Sequence, residues 1–238
     1  MSNKIVLYDL PSRQGKSWSY NALKARLALN YKNIPYETEW TEYPDLRVKL
    51  GQTGLAPNQT GPAYTCPAIQ LPSGAFLQGS RAIAEKLEHL YPAPSLNFDL
   101  PDQARIEDLV TEFTNTVRPI FTPLVPKLLL NPPSQSYFIE AREKRLGMKL
   151  DEFAKGAKDC VQTVAPVIKE LGQAYQKDGG PFLHGQTPCY VDLIFLGLLR
   201  MLDNLGEISQ FYDLEGGDRL EKLYEAGKAK GWFDRDSY

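Results

Sequence analysis

The chain has 238 residues, 42% hydrophobic and 24% charged, which suits one large domain or two modest ones and is too apolar for disorder. A formal net charge of -2 gives no electrostatic support for a nucleic-acid partner, and no apolar run reaches the roughly 20 residues of a membrane span. Three scattered cysteines (Cys66, Cys160, Cys189), two histidines and a short apolar stretch in "MSNKIVLYDLP" argue against a disulfide framework, a zinc site and a secretory signal, so a metal-free cytoplasmic protein is expected.

"KIVLYDL" (Lys4 to Leu10) has the β-branched and aromatic make-up of a buried strand. Residues 19 to 33 follow with helical spacing, Leu23, Leu27 and Tyr31 forming one stripe and Lys24 lying off it. "YETEW" (Tyr36 to Trp40) alternates like a half-buried strand, which completes a βαβ unit with a parallel pair. The stretch from Glu42 to Thr65 is rich in Gly, Pro and Asn, and reads as a short helix at most and then a long loop of the kind that is usually functional. A hairpin (Ala68 to Leu77) and a helix opening at Ser80 and stopped by Pro92 add a ββα unit.

"PAPSLNFDLPD" is a proline-rich linker, so the expected division is residues 1–92, a linker at 93–101, and 102–238. Beyond the linker, helical periodicity runs through 102–121, 136–177 and 190–205, the last apolar nearly all round and so a buried central helix. The fold class is α+β: a βαβ-ββα domain joined to an all-helical one, without internal repeats.

Three stretches resemble the cytosolic glutathione transferases, and together they span residues 4 to about 205. "SYNALKARLAL" resembles the start of helix 1 in omega-like and fungal members, where a Cys or Ser opens the helix; the match puts Ser19 at the active position. "TCPAIQLPSGAFLQGSRAIAEKLEHLYP" resembles the family's strand, hairpin and serine-headed helix, which implies a cis Pro67 and a glutathione contact at Ser80. "FLHGQTPCYVDLIFL" resembles its Phe-Leu-x-Gly helix-start motif, matching at Phe182, Leu183, Gly185 and Asp192. The resemblance implies a thioredoxin-like N-terminal domain, glutathione as co-substrate, a homodimer and a role in detoxification. The long loop before Pro67 and "YKNIPYETEW" look nearest to the fungal A class, akin to bacterial β-aryl etherases. That class implies aromatic, wood- or lignin-derived ligands.

Glutathione's thiol, with a cysteine-type pKa of about 8.5, needs help to ionise at neutral pH. The partial positive charge of a helix N-terminus provides some, and a serine hydroxyl donating to the sulfur adds roughly 1.5–3 kcal/mol, or about one to two pKa units. Ser19 is the expected donor, with Ser17 and Tyr20 as rivals and Asn21 as a second donor. The resemblance gives the γ-glutamyl end to Ser80, with Gly79 and Arg81 beside it. Cys66 would offer backbone groups to the cysteinyl part next to Pro67, as in β-augmentation. With serine in place of cysteine at position 19, transfer through a mixed disulfide is not expected.

Local rules also supply plainer roles. Ser19 fits an N-cap between a Trp18–Leu23 hydrophobic staple, Ser80 fits another N-cap, and Asp192 fits the N3 position of a capping box. Arg81 and Lys86 read as a solvated helix face. Two departures from the family pattern stand out. Gly79 replaces the usual Glu, Asp or Gln, leaving Gln78 or Arg81 to substitute. Cys189 replaces the usual Ser or Thr cap, so either some cost in local stability or a substitute cap from Thr187 is expected. Gly79 favours an alternative reading, a non-catalytic ligandin that carries aromatic compounds; a scaffold that has lost its chemistry is a third.

Overall fold

The computed structural model describes residues 4–236. β1 (Ile5–Asp9) buries every residue except Val6, because it runs through the interior of a four-stranded sheet ordered β2-β1-β3-β4. β2 (Tyr36–Trp40) lies parallel to β1 with Ile5 opposite Tyr36, and α1 (Tyr20–Tyr31) is the crossover between them. β3 (Ala68–Gln70) runs antiparallel along the other side of β1 and turns back into β4 (Phe76–Gln78). α3 (Ser80–Leu90) then buries Ile83, Ala84 and Leu87 along one stripe. α2 (Tyr43–Gly51) is the short helix expected, and residues 52–67 form turns and loop.

The rest is helical: α4 (Gln103–Thr116), α5 (Arg118–Leu128), α6 (Pro132–Leu146), α7 (Leu150–Phe153), a 3-10 turn (Ala154–Gly156), α8 (Ala157–Gln176), α9 (Tyr190–Asn204), α10 (Ser209–Tyr212) and α11 (Gly217–Ala229). The periodic run over 102–121 is two helices, since Pro119 sits in the first turn of α5 and Val117 leaves helical geometry before it. The run over 136–177 is also interrupted. Gly147 takes φ +68 at the end of α6, a C-cap that only a residue at ease in the left-handed region makes cheaply. α10 and α11 lie beyond the periodic runs.

α9 buries twelve residues and docks on α1. A Cβ on Gly197 would sit 3.4 Å from the Tyr20 carbonyl oxygen, so glycine lets the two backbones close on each other. The head of α9 is capped as Asp192 at N3 suggested. Its Oδ2 accepts from the Cys189 N–H at 2.8 Å and its Oδ1 from the Leu183 N–H at 3.0 Å, while the Cys189 thiol also donates to it at 3.3 Å. The substitute cap expected from Thr187 is not used: Cys189 and Asp192 make the box themselves, and the Thr187 N–H bonds to the His184 carbonyl. Asp192→Ala should orphan two buried N–H groups at roughly 1–3 kcal/mol each. A urea titration should show a lower midpoint, with Asp192→Asn losing less.

After α11 the chain turns at Gly231 and lies along α1. Asn30 donates to the carbonyls of Trp232 (2.7 Å) and Asp234 (2.8 Å). The Arg235 guanidinium covers the Tyr36 ring and donates to Ile34 and Asn30. The tail thus returns the chain's last described residues to the helix that opens at Ser19.

Candidate active site

The sheet register brings the expected site residues to one edge. Tyr8, Ala68 and Gln78 lie side by side in a row, so the residues next to them, Asp9, Pro67 and Gly79, share that edge. The chain leaves β1 there toward Ser19, makes the Cys66–Pro67 cis bond, and starts α3 at Ser80. Three elements whose ends were recognisable one at a time become one site because β1 pairs with β3 and β3 with β4.

Ser19 is the N-cap of α1. Its carbonyl accepts from the Leu23 N–H at 2.8 Å, and its hydroxyl makes no capping bond. The side chain is 8% exposed, and the first-turn N–H groups of α1 open beside it. Ser17 is placed differently. It is fully buried, and its hydroxyl donates to Asp9 Oδ2 at 2.8 Å, its N–H to the Asp236 carbonyl at 2.5 Å, while its carbonyl accepts from Asn204 Nδ2 at 3.1 Å. Every polar group of Ser17 is taken, so it anchors the loop. Tyr20 packs against the core with the Lys24 ammonium over its ring, and burial pushes its phenol's pKa up. Asn21 is exposed on the first turn of α1. Trp18 is buried with Leu23 in the same core, and its indole N–H donates to the Pro11 carbonyl at 3.2 Å.

Under this loop lies an ion pair that sequence reasoning missed. Arg26 and Asp9 are both buried and meet through two bonds, Nη2 to Oδ2 at 2.8 Å and Nε to Oδ2 at 3.2 Å. Asp9 also receives Ser17 and the Leu10 N–H at 2.7 Å. The match at Arg26 was visible in the first motif, but no local spacing points from it to Asp9.

The half-buried Cys66 donates its thiol to the Tyr8 carbonyl at 3.3 Å, and burial, with Asp9 nearby, pushes that thiol's pKa well up. It is a poor nucleophile there. Its backbone N–H and C=O are taken by no other described residue, which leaves them open to an added strand.

At α3, Gly79 is the N-cap, with φ +91, and Ser80 is the first helical residue, so the expected N-cap role of Ser80 moves back by one. That φ explains the glycine: any side chain there is strained, although a Cβ would meet nothing within 4 Å. Neither proposed substitute is free. Gln78 accepts from the Thr65 N–H (2.9 Å) and donates to Ala56 (2.9 Å), holding the long loop. Arg81 pairs with Glu107 of α4 at 2.8 Å and lies over the Tyr190 and Phe98 rings. Tyr190, directly after Cys189 in the third motif and covered by the Arg81 guanidinium, is a neighbour of this helix start that sequence reasoning missed.

Lys24 lies off the buried stripe of α1, as its spacing suggests, and is half-buried. Its ammonium lies 3.9 Å from the centre of the Tyr20 ring, and burial, with Arg81 nearby, brings its pKa down to about 8 against the opposing pull of Glu107. The unfolded chain keeps that proton to about 10.5 and the folded one only to about 8. Between those values the unfolded state binds more protons, so stability climbs with pH across that window and is flat below it. Urea midpoints measured across the window should rise in the wild type relative to Lys24→Met.

Two family models match the chain: the glutathione S-transferase N-terminal domain over residues 18–90 and the glutathione S-transferase C-terminal domain over residues 103–228. This chain belongs to the glutathione transferase family. A glutathione S-transferase-like protein, ustS, from Aspergillus flavus is 31% identical over 207 residues, covering 77% of this chain and 74% of that protein. The glutathione transferase GSTFuA3 from Phanerochaete chrysosporium superposes with a TM-score of 0.84 at 29% identity, covering 95% of this chain and 97% of that one. The glutathione S-transferase CsGST63524 of Ceriporiopsis subvermispora, solved in complex with glutathione, gives 0.83 at 27% identity, covering 96% and 98%. The fungal A class is thus among the transferase's structural neighbours, and its four-stranded mixed sheet with an all-helical second domain is the family's fold.

Proposed function

We propose that this transferase is of the serine type: it binds glutathione along the edge made by Cys66–Pro67 and Ser80, holds the thiolate at the N-terminus of α1, and transfers it to a hydrophobic aromatic electrophile. The observation that carries this reading is Ser19, which has N-cap backbone geometry and a hydroxyl that caps nothing. A serine that served only the helix would turn its oxygen to the N2 or N3 N–H. The thiol proton passes to bulk water, and the sulfur's electron pair forms the new S–C bond. Where the electrophile carries a leaving group, that group departs with its own bonding pair. Asn21 is a second donor to the sulfur, and Ser17 takes no direct part because its three polar groups are spent.

The γ-glutamyl carboxylate would rest on Ser80 and the first-turn N–H groups of α3. Pro67 presents the open Cys66 backbone to the cysteinyl unit. Gly79 contributes no side chain, and Arg81 acts through its pairing with Glu107. Three unpaired cysteines suit a reducing, cytoplasmic setting, and detoxification by a homodimer with the functional division at 93–101 completes the reading. One observation favours the ligandin alternative: Tyr137, 47% exposed, stacks on Tyr43, which contacts Trp18, an aromatic surface beside the site.

Calorimetric titration of glutathione at neutral pH, with Ser19→Ala alongside, tests the choice. Proton release on binding in the wild type, reduced in the variant, is the expected result. Absence of binding up to millimolar glutathione would favour the carrier.

A further inference from the structure

Ser17 joins three remote parts of the chain two residues before the proposed thiolate donor. Its hydroxyl is held by the end of β1 (Asp9), its carbonyl by the end of α9 (Asn204) and its N–H by the tail (Asp236). The tail partner is itself secured. The Asp236 carboxylate pairs with Arg200 of α9 at 2.9 Å, both side chains 15% exposed, and Arg200 is bonded in turn to Asp203 and Tyr224. A second rail runs parallel to the first. The Arg235 carbonyl accepts from Arg26 Nη1 at 2.5 Å, and Arg26 holds the same Asp9 oxygen that receives the Ser17 hydroxyl. Both rails end on Ser17, whereas the Ser19 hydroxyl makes no capping bond to the helix it heads.

We propose that the C-terminal tail, through the Asp236 carbonyl and the Arg200–Asp236 ion pair, positions the loop that carries Ser19, so that Asp236 and Arg200 are positioning residues for thiolate formation. This rests on the reading of Ser19 as the donor. A hydrogen bond to a thiolate weakens steeply with misalignment, so loosening the loop degrades the bond before it degrades the fold. The helix N-terminus and the Cys66 and Ser80 contacts are left in place. Tail variants therefore raise the thiol pKa and lower kcat while leaving the KM for glutathione nearly unchanged.

The test uses two shortened chains and one full-length variant. A chain ended after Asp234 lacks both carbonyl rails, a chain ended after Ser237 keeps the Asp236 peptide carbonyl, and Asp236→Ala in the full chain removes the ion pair. Readouts are the ultraviolet absorbance of the bound glutathione thiolate against pH, kcat and KM with chlorodinitrobenzene, and thermal melting. The chain ended after Asp234 should show a thiol titration moved up by about one unit and kcat at neutral pH down by about threefold, with KM for glutathione within about twofold. Asp236→Ala should move both in the same direction by less, and the chain ended after Ser237 should match the wild type. On a Ser19→Ala background the tail changes should move the titration no further, because they act through that hydroxyl.

A folded chain ended after Asp234 with a wild-type titration overturns the proposal, and so does a titration that moves equally with and without Ser19. If that chain fails to fold, Asp236→Ala decides, and a wild-type titration there overturns the proposal too. Failure of the underlying reading looks different: Ser19→Ala alone would leave the titration where it was.

Discussion

Ser19→Ala should raise the pKa of the bound glutathione thiol by about one to two units, the equivalent of the roughly 1.5–3 kcal/mol that a hydroxyl donating to an anion supplies. The helix N-terminus remains in the variant and contributes typically 0.3–1 kcal/mol, so ionisation is weakened without being abolished. The rate responds less than the titration. A thiolate of higher pKa is intrinsically more nucleophilic, by about threefold per unit, which offsets part of the lost population. At neutral pH we expect kcat/KM to fall by roughly three- to tenfold and to recover at alkaline pH. The pH profile of kcat/KM therefore separates serine stabilisation from general damage, since damage lowers the whole profile. A variant whose acid limb coincides with that of the wild type would falsify the role of Ser19.

Arg26→Met should cost about 3–5 kcal/mol, the typical penalty for stranding one member of a buried ion pair. Asp9 would keep the Ser17 hydroxyl and the Leu10 N–H but lose both guanidinium bonds. For a chain of this size each kcal/mol lowers Tm by roughly 2–4 °C, so calorimetry should record a fall of about 6–20 °C. Asp9→Asn combined with Arg26→Met should recover a good part of it, because the pair's cost is chiefly that of an uncompensated charge. A double variant no more stable than Arg26→Met would mean that Arg26 matters through Tyr36, Thr38 and the tail carbonyl it also holds.

What the sequence made legible follows from the range of the forces involved. β1, α1 and the hairpin were readable because periods of two and of 3.6 residues are local, whereas Ser19, Pro67 and Ser80 were singled out by the resemblance of the stretches that hold them. α10 and α11 escaped because Ser209–Tyr212 is a single turn and Gly217–Ala229 mixes its apolar residues with charge. Lys24 was placed off its helix's buried stripe, where it stands, but the carboxylate that acts on it, Glu107, belongs to α4 and no spacing within α1 points to it. Asp9 with Arg26, and Ser17 with Asp236, are pairings between positions that no local spacing connects. Gly79 lay between these cases: the missing acidic side chain was visible, while the φ of +91 that suits glycine there was not.

The bond from the Ser17 N–H to the Asp236 carbonyl also sets an order of events during synthesis. The sheet and α1 are complete once about ninety residues have been made, and N-terminal units generally fold first on the ribosome. Ser17 must then wait for its last partner through about 146 further residues, roughly 7–30 s at ordinary translation speeds of about 5–20 residues per second. A nascent chain can thus carry a formed thioredoxin-like sheet whose serine loop is still missing its final tether. On the proposed role of the tail, catalytic competence arrives only once residue 236 has left the exit tunnel.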